Sequence, residues 1–544
     1  MNDRLSLRWL GLASLALGLA MIIVDATIVN VAIPSIIADL GLQLTDAEWV
    51  NTVYSLVFAA LLVTVGRFGD LYGRKRIYLL GLAAFVAASL LAASAPTGSL
   101  LIAARALQGI GAAMILPSTL SSVNAMFRGR ERAIAFGIWG SVIGGMAALG
   151  PLVGGWLTTS YSWRWAFYIN LPIGLVAGTV ALLTVPETRD TQAARGLDPI
   201  GIVTSALGFA ALVFGLIEGE RYGWWQPTDT FRIGTWEWPL SSLSPVPLAL
   251  ALAALLLPLF TLYELRRVQH ERPVLLDLRL FRYRSFRWGN LAALIVSLGE
   301  FGIVFVLPLY LQAVLGYTAF QTGQVLIAVA LGAFLGGPAA ANLAQRFGAR
   351  QVVRAGMLLE AAGLLLLVPV LAPDTHGWRL APALFIYGLG VGLATAQLTS
   401  VILAEVPTAQ SGQASGTQST TRQVGAALGI AILGTVLAAT LASGTEARLM
   451  ERLGFPADQA AMLARATKQS AGQILVQLRA QPGSEAMVRA IEDAFTDAAR
   501  RTALVAAAFI GIGFIASWLI PDIRPGEEPA SGTVPRETAA ETRR

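Results

Sequence analysis

Fourteen long apolar stretches, separated by charges, proline and glycine, dominate this 544-residue sequence. A helix crosses the apolar part of a bilayer in about 20 residues. Its backbone groups hydrogen-bond to one another, which is necessary because lipid tails offer no hydrogen-bond partners. The pattern therefore predicts an all-α membrane protein with 14 transmembrane helices. The stretches are residues 9–36, 49–68, 77–95, 99–123, 134–158, 165–185, 199–217, 246–264, 289–310, 323–344, 353–372, 380–404, 420–441 and 502–520.

The composition excludes most other classes of protein. Hydrophobic residues make up 55% of the chain and charged residues 13%, against about 45–50% and about 25% in soluble proteins, so we expect neither a soluble enzyme nor a nucleic-acid partner. The sequence has no cysteine and two histidines, which leaves no basis for a metal site. Neither lysine follows a glycine. The Gly-Lys step of an ATP-binding phosphate loop is therefore missing, and we expect no enzymatic activity and no cofactor.

The distribution of positive charge predicts the orientation in the membrane. Lys and Arg resist translocation and collect in cytoplasmic loops. With the N-terminus inside, the cytoplasmic segments hold 25 Lys and Arg, and the short outside loops hold four. The long segment 442–501 adds eight outside, but long loops follow the rule weakly. We therefore expect a multi-pass protein with both termini in the cytoplasm.

A repeated loop indicates that the chain contains two similar halves. The loop GRFGDLYGRK (66–75) after the second stretch aligns with ANLAQRFGAR (341–350) after the tenth. Internal repeats are typical of transporters with a central site between two bundles. The predicted units are an N-terminal six-helix bundle (1–190), two extra helices with a Trp-rich outside loop (191–270), the first five helices of a C-terminal bundle (271–441), an extracytoplasmic amphipathic segment (442–501), the last helix (502–520) and a disordered cytoplasmic tail (521–544).

Two loops are long enough to have structure of their own. The segment 442–501 alternates apolar and charged residues at helical spacing, which predicts amphipathic helices. It either caps the outer face or provides a docking surface for an accessory protein. The loop 218–245 carries four tryptophans, and we expect it at the level of the lipid headgroups, where Trp is favoured.

Two charged residues lie inside apolar stretches at matching depth. Asp25 lies about 24 Å along the first helix from Trp9, and Arg105 in the fourth helix falls about 21 Å above the same membrane boundary. A charge in lipid costs several kcal/mol unless it is paired, protonated or hydrated. We therefore predict that Asp25 and Arg105 face one cavity and interact. They either couple transport to protons or form a static structural ion pair.

Two further acids interrupt apolar stretches in the second half. Glu300 lies in the ninth stretch and Glu360 in the eleventh. Glu300 lies opposite the first helix in the duplicated scheme and is the second predicted proton site, whereas a hydrogen bond to a neighbouring helix is the simpler role for Glu360. A buried carboxyl group with an arginine nearby can load and release a proton near neutral pH.

The fifth stretch is rich in glycine and includes Gly144, Gly150, Gly154 and Gly155. Glycines four residues apart let two helix backbones approach closely. Pro151 follows Gly150 directly and removes a backbone donor. The step at Gly150 and Pro151 therefore either serves packing alone or bends during a conformational change.

The loop 67–76 places Asp70 among positive charges, with Gly66 and Gly73 where the second helix turns into the third. Topology control by positive charge would explain Arg74 and the basic residues beside it. It does not explain Asp70 or the glycines, which indicate ion pairs that form in one conformation and break in another. We predict a conformational latch made by Gly66, Asp70, Gly73 and Arg74.

Together these patterns resemble the major facilitator superfamily, in particular its fourteen-spanner drug/proton antiporters of the QacA and EmrB type. The resemblance covers residues 9–440 and is specific in the order and spacing of its motifs. The matching motifs are the first-span motif at Asp25 to Pro34, the loop motif at Gly66 to Arg76, the fourth-span motif Arg105-Ala106-Leu107-Gln108-Gly109 and the antiporter motif at Gly144 to Gly155. One departure is Gln345, which replaces the loop acid in the second half and implies an asymmetric latch.

The resemblance implies a proton-coupled antiporter of the bacterial plasma (inner) membrane that exports amphipathic, cationic or hydrophobic drugs by alternating access, which is multidrug efflux and a cause of antibiotic resistance. Asp25 would carry the proton with Arg105 beside it, and Asp70 would hold the two halves together on the cytoplasmic side. Its partners would be a small-molecule substrate, protons and membrane lipids. The alternatives are an exporter of a lipid or of an endogenous antibiotic or metabolite that works with an accessory partner, and a channel or sensor without coupled transport.

Aromatic residues in several stretches are predicted to form the wall of a substrate cavity, because apolar pockets with a few polar groups suit such compounds. Each of these residues could equally face lipid or the protein core. The predicted wall residues are Tyr54, Phe58, Trp139, Phe301, Phe305 and Tyr387.

Overall fold

Long apolar helices make up most of the computed structural model, which describes residues 2–42, 44–190, 196–233, 236–470 and 472–521. The first part of the chain contains α1 (Asn2–Leu40), α2 (Leu44–Tyr72), α3 (Arg74–Ala93), α4 (Gly98–Met126), α5 (Gly129–Ser160), α6 (Trp165–Tyr168) and α7 (Asn170–Thr184). The middle contains α8 (Pro199–Ile217), α9 (Gly219–Tyr222), β1 (Arg232–Ile233), β2 (Trp236–Glu237) and α10 (Pro245–Gln269). The last part contains α11 (Arg284–Ala313), α12 (Ala319–Phe347), α13 (Ala349–Val370), α14 (Ala381–Ile402), α15 (Ser411–Leu453), α16 (Ala457–Gln469), α17 (Ile474–Arg479) and α18 (Glu485–Ala516).

Short elements connect these helices. β1 and β2 form an antiparallel pair in which Arg232 lies opposite Glu237. Short 3₁₀ helices occur at Leu278–Arg282, Gly377–Leu380, Thr408–Gln410 and Ser517–Leu519.

The number of membrane-crossing helices agrees with the prediction. Thirteen helical segments of the described residues are long and apolar enough to cross a bilayer, and α5, which bends by 45° between Met146 and Leu149, supplies a fourteenth. The bend has a local cause, because Pro151 has no N–H to donate to the carbonyl at position 147. The prediction of an all-α membrane fold is confirmed.

Two bundles of six membrane-crossing segments and one helical hairpin build the fold. α1 to α7 pack together as the first bundle, and α11 to α15 with α18 form the second. The bundles meet where α5 packs against α12 and α14 and where α2 and α4 pack against α15. The hairpin of α8 and α10 lies beside them, with α8 in contact with both α2 and α15.

The repeated loops use the same backbone turn in both halves. Gly73 precedes α3 with a φ of 111°, and Gly348 precedes α13 with a φ of 83°. Side chains with a Cβ rarely adopt such positive values, whereas glycine does so without strain. The internal repeat in the sequence is therefore also a repeat in backbone geometry.

The structure differs from the predicted helix ends at 441 and 502. α15 continues to Leu453, and α18 already begins at Glu485. The amphipathic continuations pack rather than unwind, because Leu449 and Ile491 are buried between them. The shorter helices α16 and α17 connect the two extensions.

The Trp-rich loop after α8 encloses an aromatic cluster. Tyr222 and Phe231 are buried and pack against Trp49 of α2 and Phe214 of α8. The loop thereby covers one end of the α2 and α8 contact. The predicted disordered tail lies outside the described residues from position 522 onward.

Candidate functional site

A cavity of about 310 Å³ lies between the two bundles, which is the size of a small-molecule pocket. α1, α2, α4 and α5 line it from the first bundle, α11 and α15 from the second, and α8 from the hairpin. Its lining is mostly apolar. Four of the six predicted wall residues belong to it, namely Tyr54, Phe58, Trp139 and Phe301.

The other two predicted wall residues lie elsewhere. Phe305 lies one turn beyond Phe301 on α11, outside the described lining, and 42% of its surface is exposed. Tyr387 on α14 is buried instead, and its hydroxyl donates to the backbone oxygen of Glu300 at 3.3 Å. Both differences have the same cause, because aromatic character does not reveal which way a helix face is turned.

Asp25 on α1 and Arg105 on α4 form the predicted ion pair. The guanidinium Nη1 of Arg105 lies 2.5 Å from Oδ2 of Asp25, and both side chains are fully buried. Two amides complete the shell of the carboxylate, with Gln108 Nε2 at 3.1 Å and Asn170 Nδ2 at 2.7 Å from its Oδ1. The hydroxyl of Ser89 accepts hydrogen bonds from the same two amides. One carboxylate therefore connects α1, α4 and α7, and through Ser89 also α3.

Sequence reasoning found only part of this shell. Gln108 appeared only as a member of the fourth-span motif, and Ser89 and Asn170 did not appear at all. Their signal in the sequence is that each is an isolated polar residue in or beside an apolar stretch. Such residues in a membrane helix generally face a partner within the bundle.

Tyr54 separates this ion pair from the cavity. Its ring lies 4.1 Å from the guanidinium carbon of Arg105, and the same side chain lines the cavity. Asp25 and Arg105 themselves are not in the described lining. The two charges therefore interact as predicted but do not face the cavity in this conformation, because an aromatic side chain covers them.

Glu300 on α11 is paired as well. Its Oε2 lies 3.2 Å from Nη2 of Arg422 on α15, and its Oε1 accepts the hydroxyl of Thr395 on α14 at 3.1 Å. Arg422 lines the cavity, whereas Glu300 does not. The second half therefore contains an acid and arginine pair of its own, nearer to the cavity than the first.

Glu360 on α13 has a different environment. It is fully buried, and neither carboxyl oxygen has a hydrogen-bond partner among the described residues. Its carboxyl group lies within electrostatic range of Glu300 and Arg422. The hydrogen bond to a neighbouring helix that was the simpler role for Glu360 is therefore not made by the described residues.

The end of α2 and the start of α3 contact the second bundle as a latch would. The predicted loop 67–76 is helical except at Gly73. Oδ1 of Asp70 accepts the backbone N–H of Gly412 and Oδ2 accepts that of Gln413, both at 2.8 Å, in the first turn of α15. Arg74 pairs with Asp70 at 2.7 Å, and its Nη2 also donates to the backbone oxygen of Thr408 at 2.6 Å. We call this end of the bundles, defined by Asp70 and Arg74, the latch end.

Glycines on α2 and α15, and Gly73 between α2 and α3, permit this contact. A Cβ on Gly66 would lie 2.4 Å from the backbone oxygen of Gly412, and one on Gly416 would lie 2.6 Å from that of Leu62. α2 and α15 can therefore cross at this distance only without side chains there. A Cβ on Gly73 would lie 2.5 Å from a carboxyl oxygen of Glu187.

The latch has no acidic counterpart in the second half. Gln345 occupies the position that matches Asp70, and its amide donates to Ala341 on its own helix at 3.3 Å. The replacement of the loop acid by Gln345 thus gives a side chain whose hydrogen bond stays within α12.

The glycines of α5 pack it against both bundles. A Cβ on Gly150 would lie 1.7 Å from the hydroxyl of Thr27, and one on Gly154 would lie 2.7 Å from Ile28, both on α1. Gly144 and Gly155 face α12 instead, where a Cβ on Gly144 would lie 2.7 Å from Ala333. These glycines therefore serve close packing, and α5 is bent before Pro151. That this step bends further during a conformational change stays a prediction.

Two bundles of six membrane-crossing segments around a cavity, with charges buried on both sides, define a membrane transport protein. The chain belongs to the Major Facilitator Superfamily, whose sequence profile matches residues 15–430. It is therefore a multi-pass membrane protein.

Known proteins support this assignment. The puromycin resistance protein pur8 of Streptomyces alboniger is 36% identical over 434 residues, which are 79% of this chain and 82% of that protein. The multidrug resistance protein Stp of Mycobacterium tuberculosis is 32% identical over 519 residues, 94% of this chain and 91% of that one. The crystal structure of the human organic anion transporter MFSD10 (TETRAN) has a TM-score of 0.55 at 13% identity and covers 94% of this chain and 98% of that chain, which shows a shared fold.

Proposed function

We propose that the protein is a proton-coupled antiporter that exports amphipathic drugs from bacterial cells by alternating access. The observation that carries this proposal is the buried carboxylate of Asp25, which is held by Arg105 and two amides directly behind the cavity residue Tyr54. The relatives named for drug and antibiotic resistance support export as the direction of transport.

The geometry supports a role for a proton at Asp25. A proton on Asp25 removes the charge that Arg105 pairs with, and a buried ion without its partner is strongly destabilised, by about 3–5 kcal/mol. The ion pair that holds α1 and α4 together at this point is then lost. Because the same carboxylate also holds α7, protonation acts on the packing of the whole first bundle rather than on one side chain.

Tyr54 offers a link between proton and cargo. Its ring covers Arg105 on one side and lines the cavity on the other. A cargo molecule that moves this ring also changes the surroundings of the ion pair. Occupation of the cavity and protonation of Asp25 therefore act on the same arginine, which is what an exchange of one for the other requires.

The latch end provides the opening and closing that alternating access requires. Asp70 and Arg74 close one end of the bundles in this structure, and the positive charge of the surrounding loop favours the cytoplasmic side for that end. In this assignment both termini are cytoplasmic, the structure is closed toward the cytoplasm, and opening of the latch admits cargo. Glu300, paired with Arg422, is the proposed second proton site.

A transport assay with matched variants tests the proposal. Dye transport is measured in inverted membrane vesicles with and without an imposed pH gradient, for the unchanged protein and for Asp25→Asn. We expect the gradient to drive transport only in the unchanged protein. Asp25→Asn should retain dye-for-dye exchange, which needs no net proton step and shows that the variant is folded.

Asp39→Asn is the matched control. Asp39 lies on the same helix and pairs with Arg164 at 2.5 Å in an exposed position, away from the cavity. It should keep full gradient-driven transport. Transport that ignores the gradient in the unchanged protein, or that survives unchanged in Asp25→Asn, would remove the proton-carrier role of Asp25.

A further inference from the structure

The cavity wall carries a basic side chain, although the buried acids of the two bundles would suggest an acidic wall. Among the described residues that line the cavity, Arg422 is the one charged side chain. The buried carboxylates Asp25, Asp70, Glu300 and Glu360 all lie outside this lining. An acid in the cavity wall would suit a cationic cargo, but the described lining contains an arginine and no acid.

Arg422 has hydrogen-bonding capacity that the protein does not use. Within the described residues it donates one hydrogen bond, from Nη2 to Glu300 at 3.2 Å. A guanidinium group carries five N–H donors in a planar fork that fits a carboxylate, sulfonate or phenolate oxygen. The neighbouring lining residues Gln418, Ser419 and Gln423 lie on the same helix. This wall of the cavity is therefore polar and positively charged.

The rest of the lining is mostly apolar and includes four aromatic residues. Tyr54, Phe58 and Trp139 come from the first bundle, and Val213 and Ile217 come from the inserted helix α8. The hairpin thus contributes directly to the cavity, a role that the sequence did not suggest. A flat apolar body fits this side, while the polar wall accepts a single charged or polar end.

We propose that the cargo is an amphipathic anion, whose acidic group binds Arg422 and whose apolar body packs against the aromatic residues and α8. This refines the proposed function, because it names the substrate class of the same cavity. A cation in this position would face a like charge in a poorly hydrated space, where charge interactions are much stronger than in water. An anion gains a charge-assisted hydrogen bond.

Three dyes test the inference on the purified full-length protein in detergent micelles. 1-Anilinonaphthalene-8-sulfonate carries a sulfonate, N-phenyl-1-naphthylamine has the same ring system without it, and ethidium is a cation. Binding is measured by fluorescence titration, with protein-free micelles subtracted. We expect the sulfonate to bind about tenfold more tightly than its neutral analogue, the size of one charge-assisted hydrogen bond, and ethidium to bind most weakly.

Two substitutions should move the affinity for the sulfonate in opposite directions. Arg422→Gln should remove its advantage over the neutral dye, whereas Glu300→Gln should increase it, because Arg422 then loses the carboxylate that partly neutralises it. Arg448→Gln is the control on the same helix. Arg448 pairs with Asp497 and does not line the cavity, so this variant should leave the ratio of the two affinities unchanged.

The double variant Arg422→Gln/Glu300→Gln guards against misfolding, since it also removes the carboxylate that Arg422→Gln alone would leave without its partner. It should show the same loss of preference as Arg422→Gln. Ethidium binding as tightly as the sulfonate, or a sulfonate preference that persists in the double variant, would overturn the inference and leave proton-driven export standing. Loss of gradient-driven transport with the preference intact would contradict the proposed function alone.

Discussion

The carboxylate of Asp70 on α2 accepts the backbone N–H of Gly412 on α15 at 2.8 Å, so a side chain of the first bundle caps a helix of the second. The first turn of a helix has unpaired N–H groups and a partial positive charge. An acid placed there is stabilised, and it fixes the position of the helix. Gln345 supplies no acid in the matching place of the second half, so this cap between the bundles has no symmetric counterpart among the described residues.

Substitution of Asp70 by asparagine should weaken the closed latch end. An amide has one acceptor oxygen in place of two, and its NH₂ group would face a backbone donor, which costs about 1–3 kcal/mol. We expect slower transport with nearly unchanged dye affinity. The chain has no cysteine, so maleimide labelling of Ser415→Cys, at a buried position of α15, reports opening. A selective loss of dye affinity with unchanged labelling would contradict the latch.

The crossing of α2 and α15 should not tolerate a methyl group at Gly66. Its Cβ would lie 2.4 Å from the backbone oxygen of Gly412, and overpacking of this kind costs about 1–3 kcal/mol. Gly66→Ala should therefore favour the open latch end in the same labelling assay. Gly69→Ala is the matched control, because its Cβ would meet the Arg74 side chain at an ordinary 3.7 Å. Equal behaviour of the two variants would argue against the crossing as the sensitive contact.

Glu218 should make the contact between α2 and α8 sensitive to pH. It follows α8 directly, outside the membrane-crossing helices, and its Oε1 accepts the Thr52 hydroxyl at 2.7 Å. Burial raises the pKa of Glu218 above its ordinary value of 4.5, although Thr52 and Arg221 each lower it. The folded state therefore binds this proton more tightly than the unfolded state does. The resulting stabilisation is complete below pH 4.5 and is lost as the pH rises through the raised pKa.

Thermal unfolding between pH 4.5 and 8 measures this effect. Glu218→Gln keeps an acceptor for Thr52 but cannot ionise, so its stability relative to the unchanged protein should rise with pH. Glu220→Gln, at the more exposed neighbouring glutamate, should follow the unchanged protein. Parallel pH profiles for the unchanged protein and Glu218→Gln would show that this carboxyl group does not titrate in the range.

Replacement of Glu264 on α10 by glutamine should stabilise the folded protein. Its Oε2 accepts the backbone N–H of Leu275 at 3.1 Å, but its Oε1 has no hydrogen-bond donor among the described residues. Oε1 lies beside Gly201 together with Oδ2 of Asp198, which forms an ion pair with Arg267 at 3.5 Å. Glu264→Gln can donate to Asp198 and still accept from Leu275. We expect about 1–3 kcal/mol of stabilisation, seen as a higher unfolding temperature at neutral pH.

Glu264→Leu provides the contrast for this test. It removes the repulsion between the two acids but leaves the backbone N–H of Leu275 without an acceptor, so the unfolding temperature should fall. If leucine raised the unfolding temperature as much as glutamine does, removal of the charge alone would account for the stabilisation. The position is of interest because Asp277, two residues after Leu275, donates its backbone N–H to Gln413 beside the latch.

Much of the site could be predicted because it depends on local properties of the sequence. Hydropathy and the rise of 1.5 Å per residue place Asp25 and Arg105 at the same depth, and the structure brings them together. Gly66 and Gly73 were predicted at the turn between the second and third helices. Gly73 makes that turn with a positive φ, which glycine adopts without strain, whereas Gly66 lies within α2 at its crossing with α15. What could not be predicted were partners from distant segments, such as Asn170 for Asp25 and Gly412 for Asp70.

The sequence by itself determined that this chain lies in a membrane, where its helices run and which charges they must bury, because lipid solvation acts on each segment separately. The tertiary structure alone decided which way each helix face turns. It turned Phe305 and Tyr387 away from the cavity, covered Arg105 with Tyr54, and placed Arg422 rather than an acid in the wall. Each residue turns the helix face by about 100°, so the direction of a side chain depends on how whole helices pack, and no local pattern contains that information.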